Sequence, residues 1–127
     1  MLQARSMRRL LVEIPEWDGE VYVREFTSVE KEEVAIRGME IVDVATGTIK
    51  DARKMAGLKV WIVSRTVVDS DGLRIFEDGD TEALAEKSAR VIERLADVAT
   101  DLSNAVDDVE EAEKNSVSSQ SDNSGTN

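Results

Sequence analysis

The sequence contains no cysteine, no histidine and a single proline, and aromatic residues make up only 4% of its 127 positions. Without cysteine there are no disulfides and no thiolate zinc sites. Without histidine there is no imidazole acid–base chemistry and no catalytic triad built on it. An enzyme on this chain would have to work with carboxylates, Lys, Arg, Tyr or Ser. Because aromatics are scarce, Leu, Val, Ile and Ala must supply most of the core. Positive charge is in deficit as well: 16 Lys and Arg stand against 27 Asp and Glu, for a net charge of −11. Such a surface repels phosphate backbones, and the one basic cluster, Arg5, Arg8 and Arg9, is too short to offset it, so nucleic acid is not expected as a partner. No apolar run approaches the roughly 18 residues of a membrane span. Glu13 and Pro15 interrupt what would otherwise be the apolar stretch of a signal peptide. The expectation is a soluble cytoplasmic protein of one domain, without a membrane partner.

The first organised unit is "LLVEIPEWDGEVYVREF", two β-rich runs flanking Asp18-Gly19. That dipeptide suits a two-residue type I′ turn, which would set Ile14 opposite Val23 and Glu13 opposite Arg24. Pro15 cannot donate to a ladder, so its strand should be an edge or carry a bulge. A capping box, Thr27 with Glu30, then opens a helix expected over 28–45, with Gly47 closing it, Val34, Gly38, Ile41 and Ala45 as its stripe, and Ala35, Met39 and Val42 beside that stripe. Residues 48–68 fit two readings. Ala52, Lys54, Met55 and Ala56 favour a helix, whereas "KVWIVSRTVV" suits a strand. From Asp80 to Ala105 the helical pattern is clear, with Leu84, Ser88, Val91, Leu95, Val98 and Leu102 alternating at spacings of four and three. Beyond Asn104, "VDDVEEAEK" suits a short acidic helix, and "NSVSSQSDNSGTN" has the composition of a disordered tail. From Asp107 onward six acidic residues stand against one Lys, so this region carries −5 of the net charge.

Between the helical segments lies "VVDSDGLRIFEDGD", with the carboxylates Asp69, Asp71, Glu77, Asp78 and Asp80. A calcium loop counted from Asp69 would place Leu73 at its fifth position and Arg74 at its sixth, where an oxygen ligand and glycine are needed. The stretch therefore reads as structure. Gly72 turns the chain, "LRIF" returns it to the core, and Asp78 or Asp80 caps the helix that follows. No phosphate loop, dinucleotide motif or nucleophile elbow is present. Paired acids such as Glu32/Glu33 and Glu110/Glu111 read as solvated helix faces, and Trp17 and Trp61 as packing residues. No catalytic residue, metal site or cofactor is expected.

Three blocks in order carry a family resemblance: "VEIPEWDGEVYVREFT", "VVDSDGLRIFEDGDTEALAEKS" and "VEEAEKN". They resemble the tail assembly chaperones of long-tailed, siphovirus-type bacteriophages. Pro15, Trp17, Gly19, Tyr22 and Arg24 match the hairpin motif of that family. Asp69, Gly72, Phe76, Asp80 and Leu84 match its second motif. Asp18 stands where the family more often has glycine, and the tail after Asn115 is not part of the pattern. The resemblance tips 48–66 towards helix. The fold class expected is then α+β and mainly helical, an N-terminal β-hairpin packed on three to four helices with a disordered C-terminal tail. Its organisation would be an arm over 1–10, the hairpin-plus-helix domain over 11–104, the acidic helix over 105–114 and the tail over 115–127.

The resemblance further implies a non-enzymatic factor of the host cell cytoplasm, absent from the mature virion. Its partners would be the tape-measure protein and the major tail-tube protein, with self-association allowed if the Leu84–Leu102 stripe is wider than one domain covers. It also implies a frameshift-extended form, because Glu113-Lys114-Asn115 can be encoded by a slippery A-AAA-AAC. Apart from the resemblance, Asp107, Asp108, Glu110, Glu111 and Glu113, together with the exposed helix faces, are the candidates for partner contact. The competing reading is a non-enzymatic acidic adaptor, or a phage structural protein with a single stoichiometric partner.

Overall fold

The computed structural model describes the backbone of residues 7–118 and the side chains of residues 7–104. Strands β1 (Arg9–Ile14) and β2 (Gly19–Arg24) form the hairpin. Helices α1 (Ser28–Ile41) and α2 (Ala52–Thr66) follow, then the two-residue strand β3 (Val67–Val68), the short helix α3 (Thr81–Ala85) and the long helix α4 (Ala89–Ser118). The sheet order is β1-β2-β3, antiparallel throughout, so β1 is an edge. The architecture is the expected hairpin on helices.

The hairpin turns differently from the expectation. Pro15–Trp17 forms a single 3-10 turn, closed by Asp18 in the left-handed region at φ 54°, whose N–H bonds the Pro15 carbonyl at 3.1 Å. Proline has no N–H to leave unpaired at the start of a helical turn and its φ is already suitable there, so it leads this turn rather than ending a strand. The register moves by four residues: Ile14 pairs with Gly19, Leu10 with Val23, and Arg9 with Arg24. An even shift keeps every side chain on its face, so Ile14 and Val23 are both buried as the pattern demands. The expected Glu13–Arg24 pair does not form, and Glu13 stands opposite Glu20. Both pairings bury Ile14 and Val23, so what distinguishes the observed one is the turn that Pro15 leads, and it forms without the cross-strand charge pair.

Helix α1 begins as its sequence dictates. The Thr27 hydroxyl accepts from the Glu30 N–H at 3.1 Å, and the Glu30 carboxylate accepts from the Thr27 N–H at 3.0 Å. It ends at Ile41, four residues before the expected boundary, because Val42 turns extended and bridges Ile49. Gly47, at φ 74°, serves the loop between them, its N–H bonding the Asp43 carbonyl at 2.7 Å. Helix α2 resolves the segment that fitted two readings. Asp51 caps it through a 3.0 Å bond from the Lys54 N–H, and β-branched Val60, Ile62, Val63 and Thr66 remain helical. Tertiary burial of Leu58, Ile62, Val63 and Thr66 overrides their strand propensity.

The acidic stretch is a turn, as read. The Asp69 carboxylate accepts from the Asp71 and Leu73 amides at 2.9 and 3.0 Å, and Gly72 sits at φ 85°. Two details differ. Leu73 and Ile75 are exposed rather than returned to the core, and only Phe76 packs against it. Asp80 caps no long helix; its carboxylate accepts from the Glu77 N–H at 2.7 Å within a 3-10 turn over Asp78–Asp80. The long helix expected from Asp80 onward is in fact broken at 86–88. The Glu86 and Lys87 amides close α3 by i→i+3 bonds to Ala83 and Leu84, and α4 starts anew with Val91 and Ile92 bonding the Ser88 carbonyl. A continuous helix would set the Ser88 hydroxyl in the apolar stripe, whereas the break leaves Ser88 exposed.

Helix α4 runs unbroken past Ser103-Asn104 to Ser118, so the acidic helix expected over 105–114 is its last part. The expected arm boundary also moves, since β1 begins at Arg9. Residues 115–118, expected in the tail, continue α4, and the rest of that expected tail, from 119, lies outside the described residues. The core joins Ile14 and Val23 of the hairpin, Leu58, Ile62 and Val63 of α2, Leu84 of α3, and Val91, Leu95 and Ala99 of α4. Leu95 is fully buried among them. Truncation by Leu95→Ala is expected to lower stability by about 2–5 kcal/mol, because the packed neighbours cannot fully close the cavity. Urea denaturation checks this as a fall in midpoint at unchanged slope.

Candidate partner-binding surface

The sequence motifs converge on a structural junction. The Arg24 guanidinium, at the end of β2, donates to both Glu30 oxygens at 2.8 and 2.9 Å, to the Glu25 carbonyl at 2.8 Å and to the Arg65 carbonyl at 2.6 Å. One planar fork thus ties the hairpin to the start of α1 and the end of α2. Two residues on, the Phe26 N–H donates to the Ser103 hydroxyl at 2.9 Å, which itself donates to the Ala99 carbonyl, bringing α4 to the same point. Burial pushes the Glu30 carboxyl up, but the Arg24 guanidinium and the Thr27 amide outweigh it and hold the group below the usual carboxylate range.

The remaining motif residues serve the same scaffold. Trp17 meets Phe76 edge to face, with centroids 6.3 Å apart and planes at 76°, so the two sequence blocks touch. Tyr22 pairs with Val68 in the sheet, with the Arg9 guanidinium 5.2 Å from its ring centroid. Pro15 and Gly19 flank the hairpin turn, Asp69 and Gly72 build the following loop, Asp80 holds its 3-10 turn, and Leu84 is buried. Exposed ion pairs pin the periphery. Arg94 holds Glu16 at 3.0 Å and Arg74 holds Asp78 at 2.9 Å, and each cation draws its partner's carboxyl below the usual range. Among the described residues no group of acidic side chains converges as a metal site. Of the loop's carboxylates, Asp69 and Asp80 accept from its own amides and Asp78 from Arg74.

What the scaffold leaves open is the side formed by α1, α2 and α3. An open groove of about 720 Å³ is lined by Arg37, Arg53, Gly57, Trp61, Glu82 and Ala85. Arg37 stands 4.8 Å over the Trp61 ring and pairs with Glu33 at 2.7 Å, fixing α1 to α2 along the rim. The inward face of α1 is thereby fully used: Glu30 on Arg24, Val34 against the core, Arg37 on Trp61, and buried Ile41. On its outward face Val29, Ile36 and Met39 are exposed, and Val44 and Ile49 are exposed in the segment that follows the helix. Sequence reading assigned Met39 to the flank of the buried stripe and missed this second face. The spacing of 29, 36 and 39, itself helical, was the available signal. The side chains of Asp107, Asp108, Glu110, Glu111 and Glu113, expected as contacts, lie outside the described residues. No helix among the described residues is long and apolar enough to cross a membrane.

The chain matches the family described as phage tail assembly chaperone over residues 1–115. That span is most of the sequence, and the chain belongs to this family. Among solved structures it is similar to the tail assembly chaperone of bacteriophage HK97, at 27% sequence identity and a TM-score of 0.58, covering 80% of this chain and 91% of that one. No curated protein matches it. Membership implies phage tail proteins as partners in general terms.

The junction predicts a pH dependence. Glu30→Gln leaves a mostly buried guanidinium without its counter-charge and is expected to cost about 3 kcal/mol at neutral pH. Because the folded carboxyl titrates below the ordinary value of 4.5, its contribution is complete above that value and lost as pH falls through the folded one. Urea midpoints of the wild type and Glu30→Gln are therefore expected to differ most at neutral pH and to converge as pH falls below 4.5.

Proposed function

We propose that this chaperone is non-enzymatic, holds a tape-measure protein in solution in the host cytoplasm, helps recruit tail-tube subunits around it, and is left out of the finished virion. Family membership over residues 1–115 supports this reading most directly. The physical character of the surface agrees with it. A net charge of −11 keeps a protein dispersed while large apolar side chains remain exposed along one helix. That combination suits a protein that shields another's apolar segments.

Co-expression tests the client assignment. A tape-measure segment that is insoluble alone is expected to remain in the supernatant and co-purify with this chain. Precipitation of the segment in its presence would sink the proposal. The reading also includes a longer product, made by frameshifting at Glu113-Lys114-Asn115. Expression of the native gene with its downstream DNA and an N-terminal tag should then yield two masses. The larger should contain peptides that run through Lys114 into another frame, and a lone product ending at Asn127 would remove the two-form mechanism.

A further inference from the structure

We infer that the outward face of α1 is the client-docking surface, and that it takes an amphipathic helix whose polar side is basic. The assignment rests on the chaperone reading only for the identity of the client. Val29, Ile36 and Met39 are 74%, 51% and 68% exposed, at positions i, i+7 and i+10 of one helix. Ten residues of helix rise about 15 Å, enough to seat two to three turns of a partner helix. Isolated exposed apolar residues are ordinary, but three at helical spacing on one side of one helix form a row, and Val44 at 84% and Ile49 at 54% are exposed in the loop that follows.

The charge around the row selects the occupant. Glu32 and Glu40 are exposed on the same face, interleaved with the apolar positions. A helix that lays Leu or Met side chains on Ile36 and Met39 would bring its flanking residues against these carboxylates, where Lys or Arg are favoured and Asp or Glu repelled. The net charge of −11 extends that preference to the approach of the partner. The face is also held in place before binding. Arg24 on Glu30 and Arg37 on Trp61 anchor α1 from its other side, so little ordering of α1 accompanies docking.

The probe is a fluorescein-labelled 18-residue peptide of Leu and Lys in helical amphipathic order, followed by anisotropy. Two controls accompany it: the same peptide with Glu for Lys, and a scrambled Leu/Lys sequence of equal charge. The wild type is expected to bind the ordered Leu/Lys helix at least about ten-fold more tightly than either control, since apolar anchors and charge both contribute. Ile36→Ser with Met39→Ser leaves net charge unaltered and should raise Kd about ten-fold, consistent with the loss of two central anchors. Glu32→Lys with Glu40→Lys should weaken the Leu/Lys helix and strengthen the Leu/Glu one. Equal binding of the scrambled peptide, or an unaltered Kd in the serine variant, would overturn the assignment. So would a self-association that the serine changes abolish while peptide binding persists, because the face would then belong to a second copy. Co-expression separates the two levels of the argument. A wild type that fails to hold the tape-measure segment in solution removes the chaperone reading. A serine variant that holds it as well as the wild type removes only the α1 assignment.

Discussion

Arg24 donates at once to Glu30, to the carbonyl of its neighbour Glu25 and to the carbonyl that ends α2. A hairpin and four helices have few ways to fix their relative angles by apolar packing alone, because aliphatic side chains slide past one another at small cost. A rigid guanidinium bonded in one plane does not slide. It sets where β2 stops, it orients the capping box that starts α1, and it holds Thr66 and Val67 so that β3 can pair with Tyr22 and Val23. The like-charged Arg9 lies directly opposite Arg24 in the ladder, an arrangement that would be unfavourable if both side chains pointed into solvent. Arg24 turns instead to Glu30 and Arg9 to the Tyr22 ring, so the observed register is electrostatically tolerable.

How much of this could be read from the sequence depended on how local the deciding interaction was. The Thr27–Glu30 capping box, the Gly72 turn and the buried α4 face through Val91, Leu95 and Ala99 are set by residues within a few positions of one another, and each was legible. The hairpin register was not. Asp18-Gly19 permits a two-residue turn and Pro15 permits a longer one, and both keep the same residues inward, so the apolar pattern does not choose between them. The break at 86–88 was hidden for the same reason: no glycine or proline marks it, and the apolar period runs straight through. The helicity of α2 was legible only through the family resemblance, since its β-branched half reads as strand until its tertiary neighbours are known.

The binding surface was harder still, because the sequence pattern of α1 has apolar residues on both sides of the helix. A two-sided pattern is usually taken as a weak single stripe, and Met39 was placed with the interior for that reason. The structure separates the two sides. Those residues that pair with Arg24, Trp61 and the core define the inside, and what remains apolar is outside by elimination. In this chain the structural motifs are therefore the more conspicuous part of the sequence, while the surface proposed for docking carries no motif at all.

Charge and exposed apolar surface have to be balanced in such a protein. An apolar patch broad enough to grip a client also invites contact between copies, and a net charge of −11 opposes that contact through mutual repulsion. The same charge attracts a basic client, so one property serves both selectivity and solubility. Salt screens this effect over roughly 8 Å at physiological strength, which weakens distant repulsion more than it weakens a carboxylate already against a lysine. The interleaving of Glu32 and Glu40 with Ile36 and Met39 places attraction where screening is least, within the contact itself. Discrimination between a basic client helix and another copy of this acidic chain then resides in the short-range arrangement on α1, with the overall charge setting how readily each approaches.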